Sequence, residues 1–252
     1  MERTLGRGPA ILLTIIMSVA AYVLRLEQLR TAFDAEGYVI AGTGKGFLTW
    51  FCLLMVVLFG VYSFLLTPRK KQSALHDRSP IAFGLHTAAA VAMAAGSVML
   101  ALELENRWDL LLGAGGVVAA IFWFVIGLER FRGRELPALL FMVPTVVYVV
   151  MLIYDFRHWS RDPQILDYCF DLLTMICVMC ATFHLGGFSF DRGQRRLAAF
   201  FCFCGIFFGA AAIAGSDAKT VAMTGGAMLW MLANLCTLLR PARTRRRNQD
   251  EE

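Results

Sequence analysis

Two groups of side chains in this chain could do chemistry, and the first is acidic. Asp167, Asp171 and Thr174 follow one another at spacings of four and three residues, which places them on one face of a helix. Glu103 and Glu105 close another apolar stretch, and Arg25 and Glu27 close a third. Carboxylates at the edge of an apolar segment are destabilising unless something solvates or pairs them. Gathered around a concavity, they would attract a cation or a solute with several hydrogen-bond donors. On this reading Glu103, Asp167 and Asp171 face the solute, while Arg25 or Arg157 balances the charge. The alternative is a structural ion-pair network that pins the neighbouring loops.

The second group is Cys177, Cys180 and His184, spaced C-x2-C-x3-H on one broad helical face, with His86 expected at a similar depth on another helix. Thiolate and imidazole are ligands that zinc or haem iron takes. A zinc site would have to deprotonate its thiols in a low-dielectric medium, and zinc modules usually present their cysteine pairs on turns. His86 and His184 could hold a haem axially, but no other residue pattern points to one. We therefore expect no cofactor, with zinc or haem at His86, Cys177, Cys180 and His184 as the alternative. The chain contains no H-E-x-x-H, no G-x-S-x-G and no G-x-x-x-x-G-K-[ST] pattern. A non-enzymatic role is the expectation.

The elements that position these residues follow from composition. Of 252 residues, 58% are hydrophobic and 17% charged, against about 45–50% and about 25% in soluble domains. A water-soluble core could not hide so much apolar surface. Runs of about 20 apolar residues, enough to cross a hydrocarbon layer of about 30 Å, occur eight times. They cover roughly Pro9–Leu26, Phe47–Leu66, Ile81–Leu104, Leu110–Leu128, Leu136–Tyr154, Pro163–Phe190, Ala198–Ala214 and Val221–Leu239. Each must satisfy its own backbone in lipid, and none alternates apolar and polar residues as a membrane barrel strand does. The expected fold is an all-α polytopic transmembrane bundle of about eight spans, residues 1–240 forming one domain and 241–252 a short basic, then acidic, tail.

Lys and Arg are distributed unevenly between the two sets of connections. With the N-terminus inside, 17 of the 24 lie on the inner side and 7 on the outer, which predicts both termini in the cytoplasm. Counting acidic residues as well, the inner side carries a formal +9 and the outer side −4. The basic start before the first span resembles a secretory signal, but its apolar part is longer than a signal core of about 7–15 residues, so it is read as a retained span. The tail is read as lying on anionic lipid rather than on nucleic acid. Six of the seven cysteines fall within spans and Cys169 at a boundary, so packing, not a disulfide framework, is expected.

Small residues four apart predict close helix contacts: Ala88, Ala92 and Gly96; Gly205 and Gly209; Ala222 and Gly226. Asn234 needs a partner in lipid, and Pro144 interrupts the fifth span. The segments after the fourth and sixth spans, beginning at Gly127 and Gly187, look alike. Basic residues are required there by topology alone, so a repeat does not follow.

Two outer segments, Arg25-Leu26-Glu27-Gln28-Leu29-Arg30-Thr31-Ala32-Phe33-Asp34 and Trp159-Ser160-Arg161-Asp162-Pro163-Gln164-Ile165-Leu166-Asp167-Tyr168, stand out beside the eight-span plan. Together they resemble those of uncharacterised bacterial integral membrane proteins of about this size. The resemblance implies a multi-pass protein of the bacterial plasma membrane and carries over no catalytic residue. The functions expected are binding or translocation of a small solute from the outer face, or service as a membrane subunit of a larger complex. A membrane-embedded enzyme or redox protein using the Cys/His group is the rival.

Overall fold

The computed structural model describes residues 7–31, 45–75, 78–103, 107–159 and 165–240. Over these residues the chain forms eight α-helices: α1 (Arg7–Thr31), α2 (Lys45–Leu65), α3 (Pro80–Glu103), α4 (Arg107–Arg132), α5 (Leu139–Trp159), α6 (Ile165–Gly186), α7 (Arg195–Ala212) and α8 (Ala218–Leu238). Two 3-10 turns, Gln72–Leu75 and Gly187–Phe190, complete the described structure, which contains no strand. All eight helices are long and apolar enough to cross a membrane. Large apolar side chains such as Leu12, Trp50, Phe64 and Ile81 cover the outside of the bundle, a surface that lipid solvates and water does not. The chain is an all-helical, multi-pass membrane bundle.

Two helices organise the packing. The first, α7, is enclosed by α1, α2, α6 and α8, and its residues from Cys202 to Ala212 are all buried. Phe203 stacks on Phe59 of α2 at 5.3 Å between ring centroids, and Phe207 meets the edge of the same ring. The second, α3, lies between α4 and α8. Here glycine is required by near-contact of backbones. A Cβ on Gly96 would lie 2.7 Å from Lys219 O of α8, one on Gly226 would lie 2.7 Å from Met93 N of α3, and one on Gly113 of α4 would lie 2.6 Å from Ser97 O. Close backbone approach maximises dispersion contacts where lipid removes the hydrophobic drive between helices. The expected small-residue stripe of α3 is therefore corrected in phase: Gly96 is at the contact, but Ala88 is exposed and buried Ala89 and Met93 take its place. An all-apolar helix has no polar face from which that phase could be read. Gly205 and Gly209 do face neighbours, one against Cys177 and Met231 and the other against Thr174 and Met228.

The buried threonine hydroxyls bond back along their own helices. Thr14, Thr174 and Thr182 donate to Ala10 O, Phe170 O and Val178 O at 2.6–2.8 Å, which satisfies them in lipid without a partner helix. All seven cysteines are free. The ends after α4 and α6 differ in backbone. Gly133, with φ 71°, closes α4 in a Schellman turn, Arg134 N donating to Glu129 O at 3.0 Å, whereas α6 tightens into a 3-10 turn capped by left-handed Asp191.

The end of the bundle where α2, α4, α6 and α8 finish is fastened by arginines. Arg195, at the start of α7, donates from Nε to Leu238 O at 2.6 Å and from Nη1 to Thr67 O at 3.1 Å. Arg196 Nε donates to Leu66 O at 2.8 Å, and its guanidinium lies over Phe64. Carbonyls at a helix C-terminus have no intrahelical donors and carry the negative end of the dipole. Cations from α7 thus satisfy the ends of α2 and α8. Deeper in, Arg130 Nη1 donates to Asn234 Oδ1 at 2.7 Å, and Asn234 Nδ2 donates to Trp230 O at 2.7 Å. This supplies the partner that an asparagine in lipid requires.

Candidate functional site

At the opposite end the bundle opens into a cavity of about 570 Å³. Every helix except α2 contributes to its wall: the last turns of α1, α3, α5 and α7 and the first turns of α4, α6 and α8. The wall carries four carboxylates, Asp109, Asp155, Asp171 and Asp217, against two cations, Arg25 and Lys219. Apolar residues Leu112, Met151, Met175 and Met223 lie further in.

The cations are engaged. Lys219 pairs with Glu103 at the end of α3 and lies 3.4 Å from Asp217. Arg25 is 3% exposed, donates to Gln28 Oε1 at 2.7 Å and lies over the Phe170 ring at 5.2 Å, tying α1 to α6. Asp155 and Asp171 are half-buried, and neither forms an ion pair among the described residues. Asp217 lies between α7 and α8, outside the spans, and caps α8 by accepting from Thr220 N at 3.1 Å. Burial pushes its carboxyl up, but the hydrogen bonds from Thr220 and Lys219 outweigh burial and hold it below the ordinary value. It is an anion at neutral pH.

Of the residues singled out in the sequence, Arg25 and Asp171 share this wall. Glu103 stands beside it and reaches the cavity only through Lys219. The backbone of Asp167 belongs to α6, but its side chain lies outside the described residues, as do the loops 32–44 and 160–164 and the tail 241–252. Arg157, near the end of α5, is exposed and does not line the cavity. Asp109, Asp155, Asp217 and Lys219 were not expected as site residues. Asp155 falls just past the apolar run Leu136–Tyr154 yet lies within α5, because the helix continues about a turn beyond that run. The available signal was positional: each of the four sits at the same end of the bundle as Arg25 and Asp171.

The Cys/His residues are distributed differently. His86 packs against Gly127 of α4, with Nδ1 2.8 Å from Ala82 O. His184 stacks on Phe201 of α7, and Cys177 packs beside Gly205 of α7. Among the described residues no group of three or more His, Cys, Asp or Glu is placed to hold a metal ion.

Below the cavity buried aromatic rings fill the interior. Trp123 of α4 stacks on Trp230 of α8 at 5.0 Å between centroids and on Tyr148 of α5 at 6.0 Å. Trp230 lies ten residues along α8 from Thr220, roughly 15 Å deeper. The indole Nε1 atoms of both tryptophans are buried with no hydrogen-bond partner among the described residues. One helical turn beyond Trp230 is Asn234, paired with Arg130. Comparison with known proteins adds no relative: no family model, curated protein or solved structure matches the chain.

Proposed function

We propose that this protein binds a small cationic or multiply hydrogen-bonding solute in the cavity and passes it across the plasma membrane, both termini lying in the cytoplasm. The observation that carries the reading is the pair Asp155 and Asp171, half-buried on a cavity wall and without an ion pair among the described residues. A carboxylate in that setting gains from a bound cation what it loses in hydration. The size supports a small solute, since ligand cavities span about 300–1,000 Å³. Lys/Arg asymmetry supports an outward-facing mouth, because the cavity is at the end poor in those residues. Translocation is supported by the interior groups beneath it: the Trp123, Tyr148 and Trp230 stack is buried below the cavity, and its indole donors offer polar contacts at depth.

The test is uptake into proteoliposomes of labelled probes from three classes: a diamine (putrescine), a quaternary amine (choline) and a guanidinium compound (arginine). Uptake of at least one is expected, reduced about tenfold or more by Asp155→Asn or Asp171→Asn and little changed by Glu103→Gln, whose carboxylate is committed to Lys219. Uptake equal in wild type and both Asp variants would refute the site.

A further inference from the structure

A second concavity lies at the basic end, between α5 and α6, and its chemistry is unlike that of the first. We infer that it holds one anionic phospholipid, with an acyl chain along the groove and the phosphate at Arg192. The groove has a volume of about 740 Å³ and runs from Val146 on α5 to Arg192 and Gln194 beyond α6. Its sides are apolar and open to lipid: Met142 and Val146 are each 57% exposed and Phe183 is 67% exposed. Its floor is closed, since a Cβ on Gly186 would lie 3.1 Å from Phe141 Cβ. The shape is a furrow along the bundle, which suits a chain lying parallel to the helices.

The polar groups left for a headgroup are at the Arg192 end of the groove. Thr145 is already committed, donating to Phe141 O at 2.8 Å, and the His184 ring is stacked on Phe201. Arg192 and Gln194, past the 3-10 turn, are exposed donors at the rim. Arg192 forms no ion pair among the described residues. The nearest carboxylate in sequence, Asp191, is turned to the connection between α2 and α3, where its Oδ1 accepts from Gln72 N at 2.9 Å. The backbone that carries Arg192 is held in place: its N donates to Gly187 O at 3.0 Å and Gly193 N donates to Lys70 O at 3.1 Å. A guanidinium and an amide carried on a held backbone at the end of an apolar furrow, on the side of a bundle rich in Arg, complement an anionic headgroup and its chain.

The experiment is thermal unfolding of the full chain in neutral detergent, followed by tryptophan fluorescence, with added phosphatidylglycerol, phosphatidylcholine of the same acyl chains, or inorganic phosphate. Phosphatidylglycerol should raise the melting temperature above the other two. Arg192→Gln should weaken its half-saturating concentration about fivefold, the equivalent of about 1 kcal/mol for one basic residue near an anionic surface. Arg132→Gln, at the same end but outside the groove, should leave it unchanged. Met142→Trp, which fills the furrow, should remove phospholipid that otherwise remains bound in native mass spectrometry. Equal stabilisation by both phospholipids, an Arg192→Gln response like wild type, or stabilisation by inorganic phosphate alone would each overturn the proposal.

Discussion

Both ends of the bundle place charge inside the protein, but they satisfy it differently. At the basic end Arg195 and Arg130 are 5% and 1% exposed. Arg195 donates to carbonyls at the ends of α2 and α8, and Arg130 donates to Asn234. At the cavity end Asp155 and Asp171 border open volume and form no ion pair among the described residues. Burial of a charge therefore does not by itself mark a functional site in this molecule. The distinction lies in what the charge faces: acceptors already present in the fold, or a space that a solute can enter. By that measure the more deeply buried arginines are structural and the less buried aspartates are candidates for function.

The contrast can be broken most easily at Arg195. Arg195→Met would leave Leu238 O and Thr67 O without their charged donor, and charge-assisted hydrogen bonds are each worth about 1.5–3 kcal/mol. A loss of about 3 kcal/mol is expected, read as a fall in melting temperature in detergent. A variant as stable as wild type would remove the structural half of the comparison. Next in size, Asn234→Leu deprives the buried Arg130 of one acceptor and should destabilise by about 2 kcal/mol; Asn234→Gln, which keeps an acceptor, should recover part of that loss. Smallest is Asp217→Ala, which removes the α8 cap at about 1 kcal/mol. Because the Asp217 carboxyl sits below its ordinary value of 3.8, its contribution is present above that pH and disappears as pH falls through the folded value. The difference in stability between Asp217→Ala and wild type should accordingly be constant from pH 5 to 8 and shrink in stronger acid. A difference that instead closed between pH 5 and 8 would contradict the assigned cap.

Much of this architecture was legible in the residues, for a physical reason. Apolar length reports bilayer thickness, so all eight spans could be found; their ends moved outward where helices continue past the apolar run, as α4 does to Arg132 and α5 to Trp159, and inward where the helix gives way to a turn, as α6 does at Gly186 and α7 at Ala212. Arg25 and Asp171 were identifiable because ionisable groups stand out against apolar neighbours. Asp109, Asp155 and Asp217 were hidden among ordinary loop charges: only packing of α4, α5 and the α7–α8 turn around one space distinguishes them from solvated residues. Arg130 and Arg195 were similarly counted as inner surface charges. Their burial depends on the ends of α2 and α8 meeting α7 and on Asn234 meeting α4, long-range pairings to which no local spacing points. His86 and His184 were placed at similar depth on different helices, but depth along an axis does not fix which neighbour a ring faces, and the two pack against α4 and α7 respectively.

The central claim is that Asp155 and Asp171 serve a solute and not the fold. The most direct measurement is the melting temperature of wild type and of the Asp155→Asn, Asp171→Asn double variant, each with and without the probe cation that wild type transports. Without the cation the double variant should melt at or above the wild-type temperature, because the hydration that the two carboxylates lose on burial, together with their mutual repulsion, outweighs the attraction of Arg25 for Asp171. With saturating cation wild type should rise and the double variant should not. A double variant that melts well below wild type without cation, or that responds to the cation as wild type does, would contradict the assignment.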